Sequence, residues 1–174
     1  MAGVTPNCKI KWTKKGAATY SVPGSTYEDA FAFFSKRNAE KKEWAIFHHE
    51  KPAVDLLPNK GEPITDVILK IGFVITMPSW SKAGSLGSKR KAAWDKMMTA
   101  LAKHEENHRL IFLEEAAQFG EKVMAKTDLT RKVLQPMLDQ FSKDVFAAQK
   151  LYDDKTGHGE KEGVFLPAPD KVKD

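Results

Sequence analysis

The chain has 174 residues and a formal charge of +5, with 28 basic residues against 23 acidic ones. Apolar residues make up 41% of it, enough for a buried core, and no apolar run approaches the roughly 18 residues of a membrane span. A single cysteine, Cys8, excludes an internal disulfide framework and a cysteine-built zinc ribbon.

Cys8, Ile10 and Trp12 alternate with Lys9, Lys11 and Thr13, a period of two that predicts a half-buried strand. Ala18 to Val22 reads as its hairpin partner across a turn at Lys15-Gly16, stopped by Pro23-Gly24. Ser25 or Thr26 can cap a helix running to about Ala39, because Tyr27, Ala30, Phe31 and Phe34 recur at helical spacing. Glu43 to His49 reads as extended. Lys51 to Pro63 holds three prolines and a glycine and reads as a loop. Ile64 to Met77 is the strongest strand, rich in β-branched residues, with a bend at Gly72 and an end at Pro78. It reads as a core strand; an open edge for an extended peptide is the lesser alternative.

A Gly/Ser-rich loop, Ser81 to Ser88, leads into a long helix from Lys89 to about Gly120 or Lys126. Asp128 is placed to cap a last helix ending near Tyr152, with Pro136 as a kink inside it. The glycine- and proline-bearing tail from Asp153 reads as loop. Strands first, then two long helices, predict an α+β fold: a small N-terminal antiparallel sheet with one helix, then the two long helices. One domain over residues 1–174 is expected, with an ordered core of about 8–166.

The N-terminal stretch lacks the apolar region of a secretory signal. The expectation is a cytoplasmic protein, one exported without such a signal, or the mature form of a secreted one. The basic residues are scattered, so no nucleic-acid partner is expected. Trp12, Trp44, Trp80 and Trp94 read as core residues.

One constellation carries chemistry: His104-Glu105-Glu106-Asn107-His108, which matches H-E-x-x-H in the middle of the strongest predicted helix. Residues four apart lie on one helical face, so both imidazoles can reach one metal ion. Glu105 is then within reach of a water on that metal, whose pKa zinc would lower towards 7. The alternative is a half-buried helix face on which the two histidines only satisfy hydrogen bonds. A diiron site would need a second E-x-x-H, which the chain does not contain.

A catalytic zinc takes three protein ligands. Glu115 lies about 10 Å of helical rise beyond His108, too far to share the ion. His158, in Tyr152-Asp153-Asp154-Lys155-Thr156-Gly157-His158-Gly159, is the best third candidate, since the returning helix brings this segment back past the metal level. Asp153 or Asp154 is the fallback, as ligand or as acceptor for a ligand imidazole. Tyr152, Arg109 and Lys155 are candidate donors to a developing oxyanion. His48 and His49 are adjacent, face opposite ways on a strand, and cannot both serve one site.

Four segments carry a family resemblance: Tyr20-Ser21-Val22-Pro23-Gly24-Ser25-Thr26, Ile75-Thr76-Met77-Pro78-Ser79-Trp80, Trp94 with His104 to His108, and Tyr152 to Gly159. Over residues of about 17 to 163 the chain resembles the bacterial predicted secreted zinc-dependent proteases, first catalogued as a domain of unknown function. The resemblance implies a zincin-like metalloprotease domain holding one zinc per chain through His104 and His108, with Glu105 as general base, and it supports His158 as third ligand. The implied function is zinc-dependent hydrolysis of peptide bonds in a peptide or protein substrate. The alternative is a non-catalytic metal-binding or basic interaction module that holds a protein or an anionic polymer. Nothing in the sequence points to an inhibitor partner.

Overall fold

A computed structural model describes residues 3–40 and 42–173. The elements run β1 (Asn7–Ser21), α1 (Tyr27–Ala39), β2 (Ile46–His49), β3 (Ala53–Leu57), β4 (Asp66–Ser79), α2 (Ser88–Met124) and α3 (Arg131–Thr156). Short 3-10 turns lie at Ala83–Ser85, Glu160–Glu162 and Pro169–Lys171. The strands form one sheet in the order β1-β4-β2, with β3 also pairing β4. The fold is therefore α+β, a small sheet with three α-helices among the described residues, two of them long. None of these helices is long and apolar enough to cross a membrane.

Several elements depart from the sequence reading. The expected hairpin at Lys15-Gly16 is one continuous strand, β1, whose 15 residues run alongside the 14 of β4. Gly16 absorbs a φ of +38° within it, which a glycine accepts at no steric cost. The expected loop of Lys51 to Pro63 contains β3, whose Val54 and Leu56 are half-buried between exposed neighbours. Pro52 and Pro58 lie outside the strand, so neither interrupts its antiparallel ladder from Ala53↔Lys70 to Leu57↔Asp66. β4 passes through Pro78 to Ser79 and has paired strands on both flanks, so it offers no edge to a peptide. Asp128 does not cap α3. Its carboxylate accepts the Val4 N–H at 2.8 Å, and Thr130 caps instead, its hydroxyl accepting from Val133 N.

α1 starts where expected. Thr26 accepts from Asp29 N at 3.2 Å, and the Asp29 carboxylate accepts from Thr26 N at 3.0 Å, a reciprocal box that satisfies two amides the helix leaves open.

The chain packs as two compact units, each drawn from three segments. The first takes the chain up to Lys15, His49–Val74 and Arg109–Leu151. Its core holds Val67, Leu69, Ile71, Phe112, Phe119 and Phe141, and Trp12 meets both Phe73 and Phe112 edge-on. In the same unit Gly72 leaves room for Glu50: a Cβ there would stand 2.6 Å from the Glu50 carboxylate, which pairs with Lys15. The second unit takes Gly16–His48, Ile75–His108 and the chain from Tyr152 on. Its core holds Tyr27, Phe34, Trp44, Trp80, Trp94, Met97 and Leu101, closed by Val164 and Leu166 from the tail. Phe34, fully buried, contributes on the order of 1.5–3 kcal/mol by leaving water. All the side chains of the candidate site belong to this second unit.

Candidate metal centre

His104, Glu105 and His108 lie on α2, where the helix is long, uninterrupted and half-buried. Four residues of helical spacing bring the two imidazoles together, ring centroids 4.7 Å apart and planes nearly perpendicular. All three side chains are withdrawn from water, with His104 and Glu105 each 4% exposed and His108 8% exposed. Such polar groups are rarely buried without a partner that compensates the lost hydration.

The partner comes from the last turn of α3. Asp153 Oδ1 stands 3.0 Å from His108 Nε2 and 3.3 Å from His104 Nε2, and the two Nε2 atoms are 3.2 Å apart. Burial works against the Asp153 charge, yet the hydrogen bonds from His104 and His108 hold its carboxyl well below the ordinary carboxylate range. For His104, burial pulls the pKa down, but the hydrogen bonds to Asp153 and Glu162 outweigh it and leave the imidazole above its usual value.

Three donor atoms therefore form a nearly equilateral triangle, and their spacing tests whether a metal fits. A tetrahedral ion with bonds of about 2.0–2.1 Å separates its donors by about 3.3 Å. The observed 3.0–3.3 Å agrees, and two imidazole nitrogens with one carboxylate oxygen is a donor set that suits zinc. Among the described residues this is the one group of three His, Cys, Asp or Glu side chains close enough to share an ion.

Around the triangle lies a ring of hydrogen bonds. His104 Nδ1 is 2.8 Å from Glu162 Oε2, Tyr152 Oη donates to the same Oε2 at 2.7 Å, and Asn107 Nδ2 donates to Tyr152 Oη at 2.8 Å. The Tyr152 ring stacks on His104 and meets His108 edge-on, both at 5.0 Å between centroids. Burial, with Glu162 close by, raises the Tyr152 hydroxyl far above its usual pKa despite the Asn107 hydrogen bond, so it stays protonated and donates. Glu105 accepts a hydrogen bond from the Phe47 backbone N–H of β2. Burial pushes its carboxyl up to about 7, against the pull of His108 and His104 and with a further push from Glu43.

The other residues singled out in the sequence take different places. His158 adopts a left-handed φ of +53° between Gly157 and Gly159, which are also left-handed. Its side chain is 68% exposed, and Nδ1 lies 3.8 Å from Asp153 Oδ1, beyond hydrogen-bond range. Asp154 and Lys155 are exposed, and Arg109 is half-buried and belongs to the first unit. Two residues of the network escaped the sequence reading. Asn107 stands inside the motif itself, on the helical turn of the two histidines. Glu162 lies beyond the Tyr152-to-Gly159 segment, in a turn bracketed by Gly159 and Gly163, and that Gly bracket is the one local signal for it.

A family model described as bacterial protein of unknown function, DUF922, matches residues 17–159. The chain belongs to this family. The DUF922 match takes in His104, Glu105, His108, Asp153 and His158 and stops before Glu162. No curated protein and no solved structure matches the chain.

Proposed function

We propose that this chain is a zinc-dependent metallopeptidase of the H-E-x-x-H type with a zincin-like active-site helix, acting on peptide or protein substrates. The observation that carries the reading is the convergence of His104 Nε2, His108 Nε2 and Asp153 Oδ1 within 3.3 Å of one another, with Glu105 between the two histidines on the same buried turn. The resemblance of four segments to predicted secreted zinc-dependent proteases points the same way.

In this reading His104, His108 and Asp153 would hold one zinc ion. Zinc held by three protein ligands acts as a Lewis acid and lowers the pKa of a coordinated water towards 7. Glu105 acts as general base and then general acid: it takes a proton as water attacks the scissile carbonyl, and returns it to the leaving amine as the C–N bond breaks. A carboxyl held near 7 suits both transfers at neutral pH. The Phe47 N–H fixes the carboxylate that performs them. The Tyr152 hydroxyl is engaged with Glu162 and Asn107, so Tyr152 serves by stacking on His104.

The test pairs metal content with turnover. The full chain, purified without chelator, is expected to carry about one zinc by elemental analysis and to cut members of a fluorogenic peptide library. Glu105→Gln is expected to keep the zinc and lose roughly 10²–10⁴-fold in rate. Unchanged turnover would overturn the mechanism. Zinc without any peptide cleavage would leave a non-catalytic metal module.

A further inference from the structure

We propose that Glu162 is a positioning residue for His104, selecting the tautomer that turns a nitrogen lone pair towards His108 and Asp153. This rests on the metal-centre reading above and extends it to a residue outside the matched family segment.

Asn107 Nδ2 donates to Tyr152 Oη, so the single hydroxyl proton of Tyr152 is free to go to Glu162 Oε2. That oxygen also faces His104 Nδ1 at 2.8 Å, and an ionised carboxylate only accepts. His104 must therefore carry a proton on Nδ1; the proton that Nε2 shares with Asp153 in the metal-free chain is the one a metal ion replaces, which leaves the Nε2 lone pair at the corner of the donor triangle. A metal-binding histidine needs this form, and a carboxylate on its far nitrogen both fixes the ring and raises its basicity.

The backbone holds Glu162 in place. Its turn lies between two left-handed glycines, Gly159 with φ +85° and Gly163 with φ +95°. Glu162 N bonds Gly159 O at 2.9 Å, and Val164 N bonds the same oxygen at 3.0 Å. Thr156 Oγ1 accepts from Gly159 N at 3.2 Å on the entry side. On the exit side Val164 and Leu166 are buried in the core of the unit, and Tyr27 Oη donates to Pro167 O at 2.9 Å. The carboxylate is thus mounted on an anchored turn, although its own side chain is 28% exposed.

The experiment measures zinc affinity of the full chain by competition with a chromophoric chelator, and the d–d absorption of the cobalt(II)-substituted protein. Glu162→Gln keeps the shape and removes the charge. It is expected to weaken zinc binding roughly 10–100-fold and to shift the cobalt bands. Glu160→Gln, which removes the same charge from an exposed position on the same turn, is expected to match the parent. Long-range ¹⁵N–¹H spectra are expected to show His104 protonated on Nδ1 in the parent and as mixed tautomers in Glu162→Gln. Zinc affinity within twofold of the parent with unchanged cobalt bands would overturn the proposal. If Glu162→Gln does not fold, Tyr152→Phe replaces it: several-fold weaker zinc supports the network, and parental affinity overturns it. A parent that takes up no metal would remove the metal-centre reading and this proposal together, whereas a metal-binding parent with an equal Glu162→Gln removes this proposal alone.

Discussion

Asp153 Oδ1 lies 3.8 Å from His158 Nδ1, too far for a hydrogen bond, while the same oxygen is within 3.3 Å of both buried imidazoles. The third place in the donor triangle therefore belongs to the carboxylate in this conformation. Asp153→Asn is expected to bind clearly less zinc than the parent, as are His104→Ala and His108→Ala. His158→Ala is expected to keep about one zinc per chain. Elemental analysis beside a chelator titration checks this, and a His158→Ala protein as empty as His104→Ala would reassign the third ligand.

The metal-free protein should lose stability as pH rises through the neutral range. Glu105 has its folded carboxyl raised to about 7 from 4.5. Between those values the folded chain binds more protons than the unfolded one, so its stability falls with rising pH, by on the order of 3 kcal/mol from this group at pH 8. His104, raised from 6.5, acts in the same direction: its contribution is present below 6.5 and lost as pH rises through the folded value. Asp153, lowered from 3.8, acts oppositely, contributing above 3.8 and losing that contribution as pH falls through its folded value. Glu105→Gln should flatten the fall between pH 5 and pH 8 in urea denaturation without metal. Parallel profiles for parent and variant would show that Glu105 is not held in its neutral form.

Gly159→Ala should cost more than Gly157→Ala. Both glycines are left-handed, so each replacement carries a backbone penalty of about 1–2 kcal/mol. At Gly157 an added Cβ meets nothing closer than Glu160 Cβ at 3.9 Å. At Gly159 it would stand 2.6 Å from Val164 Cγ2 and 3.2 Å from His104 Cγ, a crowding worth roughly 1–3 kcal/mol more. Urea midpoints of the two variants give the difference, and equal midpoints would mean the tail yields freely at Val164.

Thr26→Ala should lower stability by about 1 kcal/mol, because Asp29 N loses its acceptor at the start of α1. Thermal unfolding checks it. No change would mean that the reciprocal Asp29 bond to Thr26 N holds the helix end alone.

The helical face of His104 and His108 is legible in the sequence because four-residue spacing is a property of the helix itself. Asp153 is only half legible. The sequence offers two adjacent carboxylates, and the phase of α3 at its last turn separates the half-buried Asp153 from the exposed Asp154. Glu162 is not legible, because its bonds to His104 and Tyr152 depend on where three left-handed residues, Gly157, His158 and Gly159, send the chain after α3. The same limit explains the fold. β1 reads as a hairpin because its continuity depends on β4, far along the chain. β3 reads as a loop because its flanking prolines hide a short alternation. Asp128 reads as a cap because nothing local announces Val4 as its partner.

Asp153 and Glu162 address opposite nitrogens of one imidazole from a single short stretch of chain. The distance along the backbone between them is then under tighter constraint than the residues that fill it. Asp154, Lys155, Glu160 and Lys161 are all exposed, so none of them is fixed by burial. Removing or inserting one residue among them would shift the register of the turn and leave His104 gripped at one end only.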